Sequence, residues 1–144
     1  MIKRTKYNFL VMCRHFDEKK KRWASHTELR TGYIYKGKKA LYGIHKMKNE
    51  KRYIITDLYT GISTGRMIPG QHDGLYELQN LPEVENFIVD FEKYAKFFDR
   101  DEFNTPDLPE AMTIHDQYKY GYCIQDRSPS GLDVFFEAIK LNQE

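Results

Sequence analysis

Five histidines, two cysteines and a scatter of carboxylates are the residues in this 144-residue chain that could move protons or hold a metal. The histidines are His15, His26, His45, His72 and His115. No two stand at the i, i+2 or i, i+4 spacing that would put a ligand pair on one face of one element. His72-Asp73 and His115-Asp116 are adjacent pairs, and adjacent side chains diverge on strands and helices alike. His26-Thr27-Glu28 opens like half of a two-histidine phosphoesterase signature, but no second His-x-Ser/Thr follows. Cys13 and Cys123 lie far apart in sequence and read as reduced core thiols. No CxxC, HExxH, GxxxxGK[ST] or GxSxG is present. These patterns predict a protein without catalytic residues, metal or cofactor.

Charge is the strongest non-random feature. Residues 1–66 carry a net +12 and residues 67–144 a net −10, so the overall +2 hides a bipolar chain. The basic side runs through Lys19-Lys20-Lys21-Arg22 and then Lys36, Lys38, Lys39, Lys46, Lys48, Lys51 and Arg52. Tyr33, Tyr35, Tyr42 and Tyr53 interleave with it, which suits phosphates for the cations and bases for the rings. Lysine outnumbers arginine there, favouring non-specific electrostatics over bidentate reading. The acidic side gathers Glu83, Glu85, Asp90, Glu92, Asp99, Asp101 and Glu102, a row that could imitate phosphates. Tyr33-Ile34-Tyr35, Leu41-Tyr42-Gly43 and Arg52 are set out somewhat like the paired strands of GIY-YIG nucleases. The spacer is too short, neither triplet matches, and no Glu follows at the required place, so no family is assigned.

The elements that must position these residues change character along the chain. Tyr7, Phe9, Val11 and Cys13 alternate with Asn8, Leu10 and Met12, and both sets carry apolar members, predicting a strand covered on both faces. Asp17 to Arg22 reads as a turn, Trp23 to Leu29 and Tyr33 to Tyr35 as extended chain, and Lys36-Gly37-Lys38 as another turn. Leu41 to Ile44, Tyr53 to Thr56 and Ile62 to Ile68 complete an antiparallel meander, with gaps too short for crossover helices. Asn80, Pro82 and Glu83 mark a helix start, and Val84, Phe87, Ile88, Phe91, Tyr94, Ala95 and Phe98 form its apolar stripe over about 81–98. A short helix near Pro109 to Asp116, a strand from Tyr118 to Ile124 and a turn at Ser128 to Gly131 precede a closing helix with Leu132, Phe135, Phe136 and Ile139.

The expectation is therefore one α+β domain over 1–144, basic and strand-rich in 1–68, acidic and helix-containing in 69–144. The apolar run at Phe9 to Cys13 is too short for a signal peptide or a membrane span, which predicts a cytoplasmic chain with no membrane contact. Recognition of a charged surface is the expected function, as a monomer or a salt-sensitive homo-oligomer. The concrete form is a phage or mobile-element accessory factor, anti-CRISPR-like in role, that inhibits a host nuclease or defence complex by occupying a nucleic-acid, protein or ribonucleoprotein surface. The alternative is a nuclease or phosphoesterase that uses the basic sheet, with His26, Glu28 and His45 as its candidates.

Overall fold

A computed structural model describes residues 5–46, 52–59, 61–69, 81–96, 98, 127–141 and 143. Five strands follow one another: β1 (Tyr7–Asp17), β2 (Arg22–Lys36), β3 (Leu41–Lys46), β4 (Arg52–Asp57) and β5 (Ile62–Pro69). Two helices come later, α1 (Leu81–Tyr94) and α2 (Pro129–Leu141). The sheet order is β1-β2-β3-β4-β5 with every pair antiparallel, the meander that the short gaps require. The α+β class stands. No helix among the described residues is long and apolar enough to cross a membrane.

Alternation along the strands sorts side chains onto two faces, and both are covered. Phe9 and Val11 on one face and Leu10 on the other are all buried. α1 packs on the face of Tyr42, whose ring meets Phe91 edge-on at 6.5 Å. α2 lies towards the opposite face, where Phe136 meets Tyr7 at 5.6 Å and Asp133 pairs with Lys36. Val84 and Ile88 from α1 and Leu132, Phe135 and Ile139 from α2 join the sheet residues in one apolar cluster. The crossing β2–β3 ladder is close enough that Gly32 has no room for a Cβ, which would overlap the Ile44 carbonyl oxygen.

Two boundaries differ from expectation. α1 ends at Tyr94, although its apolar stripe runs on to Phe98; that ring packs on Phe91 at 5.8 Å from beyond the helix end. Ser128 to Gly131 is the start of α2 and not a free turn. Ser128 Oγ accepts the Gly131 N–H at 3.1 Å as an N-cap, and Pro129 takes the first helical position, where its missing N–H costs nothing. The cap at Asn80, the helix near 109–116 and the strand at 118–124 lie outside the described residues.

At Asn8 the outer edge of β1 is capped by a side chain. Gln143 Oε1 accepts the Asn8 N–H at 2.6 Å, and Gln143 Nε2 donates to the Asn8 carbonyl at 3.0 Å. One amide thereby supplies both partners of a missing strand, which blunts the edge against pairing with another chain.

Candidate nucleic-acid interface

β2 is 15 residues long, but β3 pairs only with Gly32 to Lys36. From Arg22 to Thr31 its partner among the described residues is β1 alone. The β1–β2 hairpin therefore continues past the end of β3 as a two-stranded ladder of roughly 30 Å at ordinary strand rise, its stem at Phe9 to Val11 still buried in the core and its outer part forming a ribbon. A four-residue loop, residues 18–21, closes it. Asp17 Oδ1 accepts the N–H groups of Lys19 at 3.0 Å and Lys20 at 3.2 Å, and Lys21 takes a left-handed φ of 49°. The Lys20 N–H, more than any neighbouring charge, holds the Asp17 carboxyl below its ordinary pKa.

The ribbon's tip combines cations and rings. Lys19, Lys20, Lys21 and Arg22 are all exposed. Phe16 and Trp23 face one another across the hairpin, edge to face at 5.8 Å, and remain 43% and 60% exposed. Large rings so exposed are uncommon on a surface that serves only solubility. Leu29 is exposed on the same face of the ribbon.

The opposite face carries a polar strip that sequence spacing did not reveal. The register sets Cys13 against His26, Val11 against Glu28 and Phe9 against Arg30. His15 Nδ1 and His26 Nδ1 share a hydrogen bond at 2.8 Å; His26 Nε2 lies 2.8 Å from Glu28 Oε2. Arg30 Nη1 donates to Glu28 Oε1 at 3.1 Å, and Nη2 lies 3.8 Å from Cys13 Sγ. Arg30 first, then His26, pulls the Glu28 carboxyl down to about 2. Burial, with help from Glu28, pushes the Cys13 thiol up to about 11. Cys13 is thus a free, half-buried thiol that packs against the apolar cluster while its sulfur borders the polar strip.

The other expected basic residues divide between two ends of the sheet. Lys46 and Arg52 end β3 and begin β4 on the side from which the ribbon projects. Lys36, Lys38 and Lys39 surround the β2–β3 turn at the far end, where with Lys93, Tyr35 and Val89 they line a groove of about 570 Å³. Lys36 is paired with Asp133, and the Lys39 ammonium sits 5.6 Å from the centre of the Phe98 ring. Lys48 and Lys51 lie outside the described residues.

The acidic row is not continuous in space. Glu83 and Asp90 are exposed and Glu85 half-exposed on α1, and Glu83 pairs with Arg66 at 3.5 Å. Glu92 is only 8% exposed and turns inward. Its carboxylate accepts the Lys38 N–H at 2.9 Å, the Lys39 N–H at 2.7 Å and the Tyr42 hydroxyl at 2.9 Å. It is a clamp on the β2–β3 turn, not a phosphate mimic. Asp99, Asp101 and Glu102 lie outside the described residues.

His45, a candidate for the enzymatic alternative, is 3% exposed, packs edge-on to Phe9 at 5.7 Å and shares a hydrogen bond with Thr56 Oγ1 at 2.8 Å. Burial drives its imidazole down to about 4, so it is neutral at physiological pH. His72, His115 and Cys123 lie outside the described residues. Neither a protein family, nor a curated protein, nor a solved structure matches the chain.

Proposed function

We propose that this protein binds nucleic acid, without chemical change to it, through the β1–β2 ribbon. The observation that carries the reading is the tip: four consecutive exposed cations beside an exposed Phe16–Trp23 pair on an arm that reaches beyond the sheet. A two-stranded ribbon fits the major groove, and exposed rings stack on unpaired bases or wedge between base steps. Lys46 and Arg52, at the ribbon's base, extend the cationic track towards the sheet. An accessory factor that inhibits a nuclease by covering its substrate needs a contact of this kind.

The test is binding of labelled duplex and single-stranded oligonucleotides across a salt series. Each phosphate neutralised on a duplex adds about 0.9 to the slope of log K on log salt, so the variant Lys19→Ser, Lys20→Ser, Lys21→Gly, Arg22→Gln is expected to lower that slope by about 3–4. Glycine at 21 accepts the left-handed φ, so the loop keeps its shape. Binding that is indifferent to the four substitutions, or absent at low salt, contradicts the proposal.

A phosphoesterase keeps one observation in its favour, the hydrogen-bonded row Glu28–His26–His15. Cleavage of nucleic acid by the pure protein, lost in His26→Ala, would replace the binding reading.

A further inference from the structure

We propose that Cys13, His26 and Glu28 form a binding site for a thiophilic divalent cation, zinc by the chemistry of the donors, on the stem of the β1–β2 ribbon. One donor atom from each residue lies within 4.8 Å of the other two, and no other group of three such side chains gathers among the described residues. Cys13 and His26 are direct cross-strand partners and Glu28 is the next residue on the same face of β2, so a rigid ladder holds all three.

The surroundings assign a role to each atom. His26 Nδ1 is engaged by His15 Nδ1, which leaves Nε2, the nitrogen turned to Glu28 Oε2, for the metal. With Nε2 on the metal, Nδ1 keeps its proton and donates it to His15. That outer-shell contact fixes the tautomer and ring orientation, as it does for most metal-bound imidazoles. Glu28 Oε1 is held by Arg30, which leaves Oε2 as the ligand oxygen. A thiolate and a carboxylate cancel the charge of a divalent ion, and sulfur with imidazole selects zinc over magnesium or calcium. Zinc bonds of about 2.0–2.3 Å set tetrahedral donors roughly 3.3–3.7 Å apart, so Nε2 and Oε2, 2.8 Å apart, open slightly while Sγ, within 4.8 Å of both, moves inward, a change within reach of side-chain rotation. Binding releases the Cys13 thiol proton to solvent. Three protein donors leave a fourth position for water.

The site stands on the ribbon's geometry and not on nucleic-acid binding, so either proposal can fail alone. Cobalt(II), the spectroscopic stand-in for zinc, is added to the metal-free 144-residue chain. The expected result is a thiolate-to-cobalt charge-transfer band with the intense visible bands of a four-coordinate ion, both bleached by zinc. Cys13→Ser removes the charge-transfer band, whereas Cys123→Ser leaves it intact. His15→Gln, which touches no ligand position, weakens zinc binding by the roughly 10–100-fold typical of an outer-shell partner. Far-UV circular dichroism of each variant confirms that the sheet is retained. No thiolate band in the wild-type chain, or a band that survives in folded Cys13→Ser, overturns the proposal.

Discussion

Glu92→Ala is expected to lower the unfolding free energy by about 3–5 kcal/mol, because it strips the acceptor from three donors at once. The Lys38 and Lys39 N–H groups and the buried Tyr42 hydroxyl all end on this carboxylate. Tyr42 has no exposure to water that could replace the bond, and burial ahead of the nearby carboxylate pushes its own ionisation upward. Gly37 belongs to the same arrangement: a Cβ there would overlap the Glu92 carboxyl group. Glu92→Gln keeps an acceptor but presents an amide NH2 to one of the donors, so its loss is expected to be smaller, about 1–3 kcal/mol. Urea denaturation reads both, as a shift in midpoint at unchanged m. A loss of under about 1 kcal/mol for Glu92→Ala would show that the turn does not depend on the clamp.

Acid is expected to destabilise the protein through His45 as pH falls below 6.5. Burial lowers the folded-state pKa from 6.5 to about 4. Between those values the unfolded chain takes up a proton that the folded chain refuses, so stability is complete above pH 6.5 and falls as pH drops towards 4. A shift of that size corresponds to about 3 kcal/mol over the whole window. Glu28 contributes with the depressed-carboxylate sign, losing its stabilisation only between its ordinary 4.5 and about 2, and its partial exposure screens the effect. Comparison of the wild-type chain with a His45 variant between pH 6.5 and 4.5 therefore reads this histidine. His45→Gln, which can still bond Thr56, is expected to flatten the profile in that window; an unchanged slope in the variant would assign the acid sensitivity elsewhere.

The sheet was legible because its signals are local. Alternation at Tyr7 to Cys13, the turn at Asp17 to Arg22 and the strand formers at Tyr53 to Thr56 each state their own element, and short gaps leave a meander as the way to join them. What escaped was the continuity of β2, since Arg30, Thr31 and Gly32 carry no strand patterning that joins Trp23–Leu29 to Tyr33–Tyr35 and are held extended by pairing with β1. The arm, and with it the exposed Phe16–Trp23 pair, follows from that pairing.

The polar strip was hidden for a related reason. Ligand spacing within one element does not show it, because Cys13 and His26 meet across two strands. A four-residue loop at 18–21 pairs Asp17 with Arg22, and counting back along both strands sets Cys13 opposite His26 and Val11 opposite Glu28. The turn thus held the missing signal. Glu92 carried a signal as well. It follows Val84 and Ile88 at successive i+4 steps, and all three are buried on α1. A carboxylate in phase with buried apolar residues is a candidate buried acceptor, because burial of such a charge demands donors. The Asp57–Arg127 pair, 3.1 Å apart with Asp57 fully buried, gave no such cue, since its partners stand 70 positions apart and Arg127 is placed by stacking 4.4 Å over Tyr59.

Trp23 is the sole tryptophan of the chain and sits at the tip on which the functional reading depends, so its fluorescence is a direct reporter. Titration of the 144-residue chain with short single-stranded and duplex oligonucleotides at low salt is predicted to quench this emission saturably, with recovery on added salt. Base–aromatic stacking worth about 1–3 kcal/mol implies that Trp23→Ala also weakens binding by roughly 5–150-fold. Emission that stays constant while the oligonucleotide binds would place the contact away from the ribbon and contradict the account.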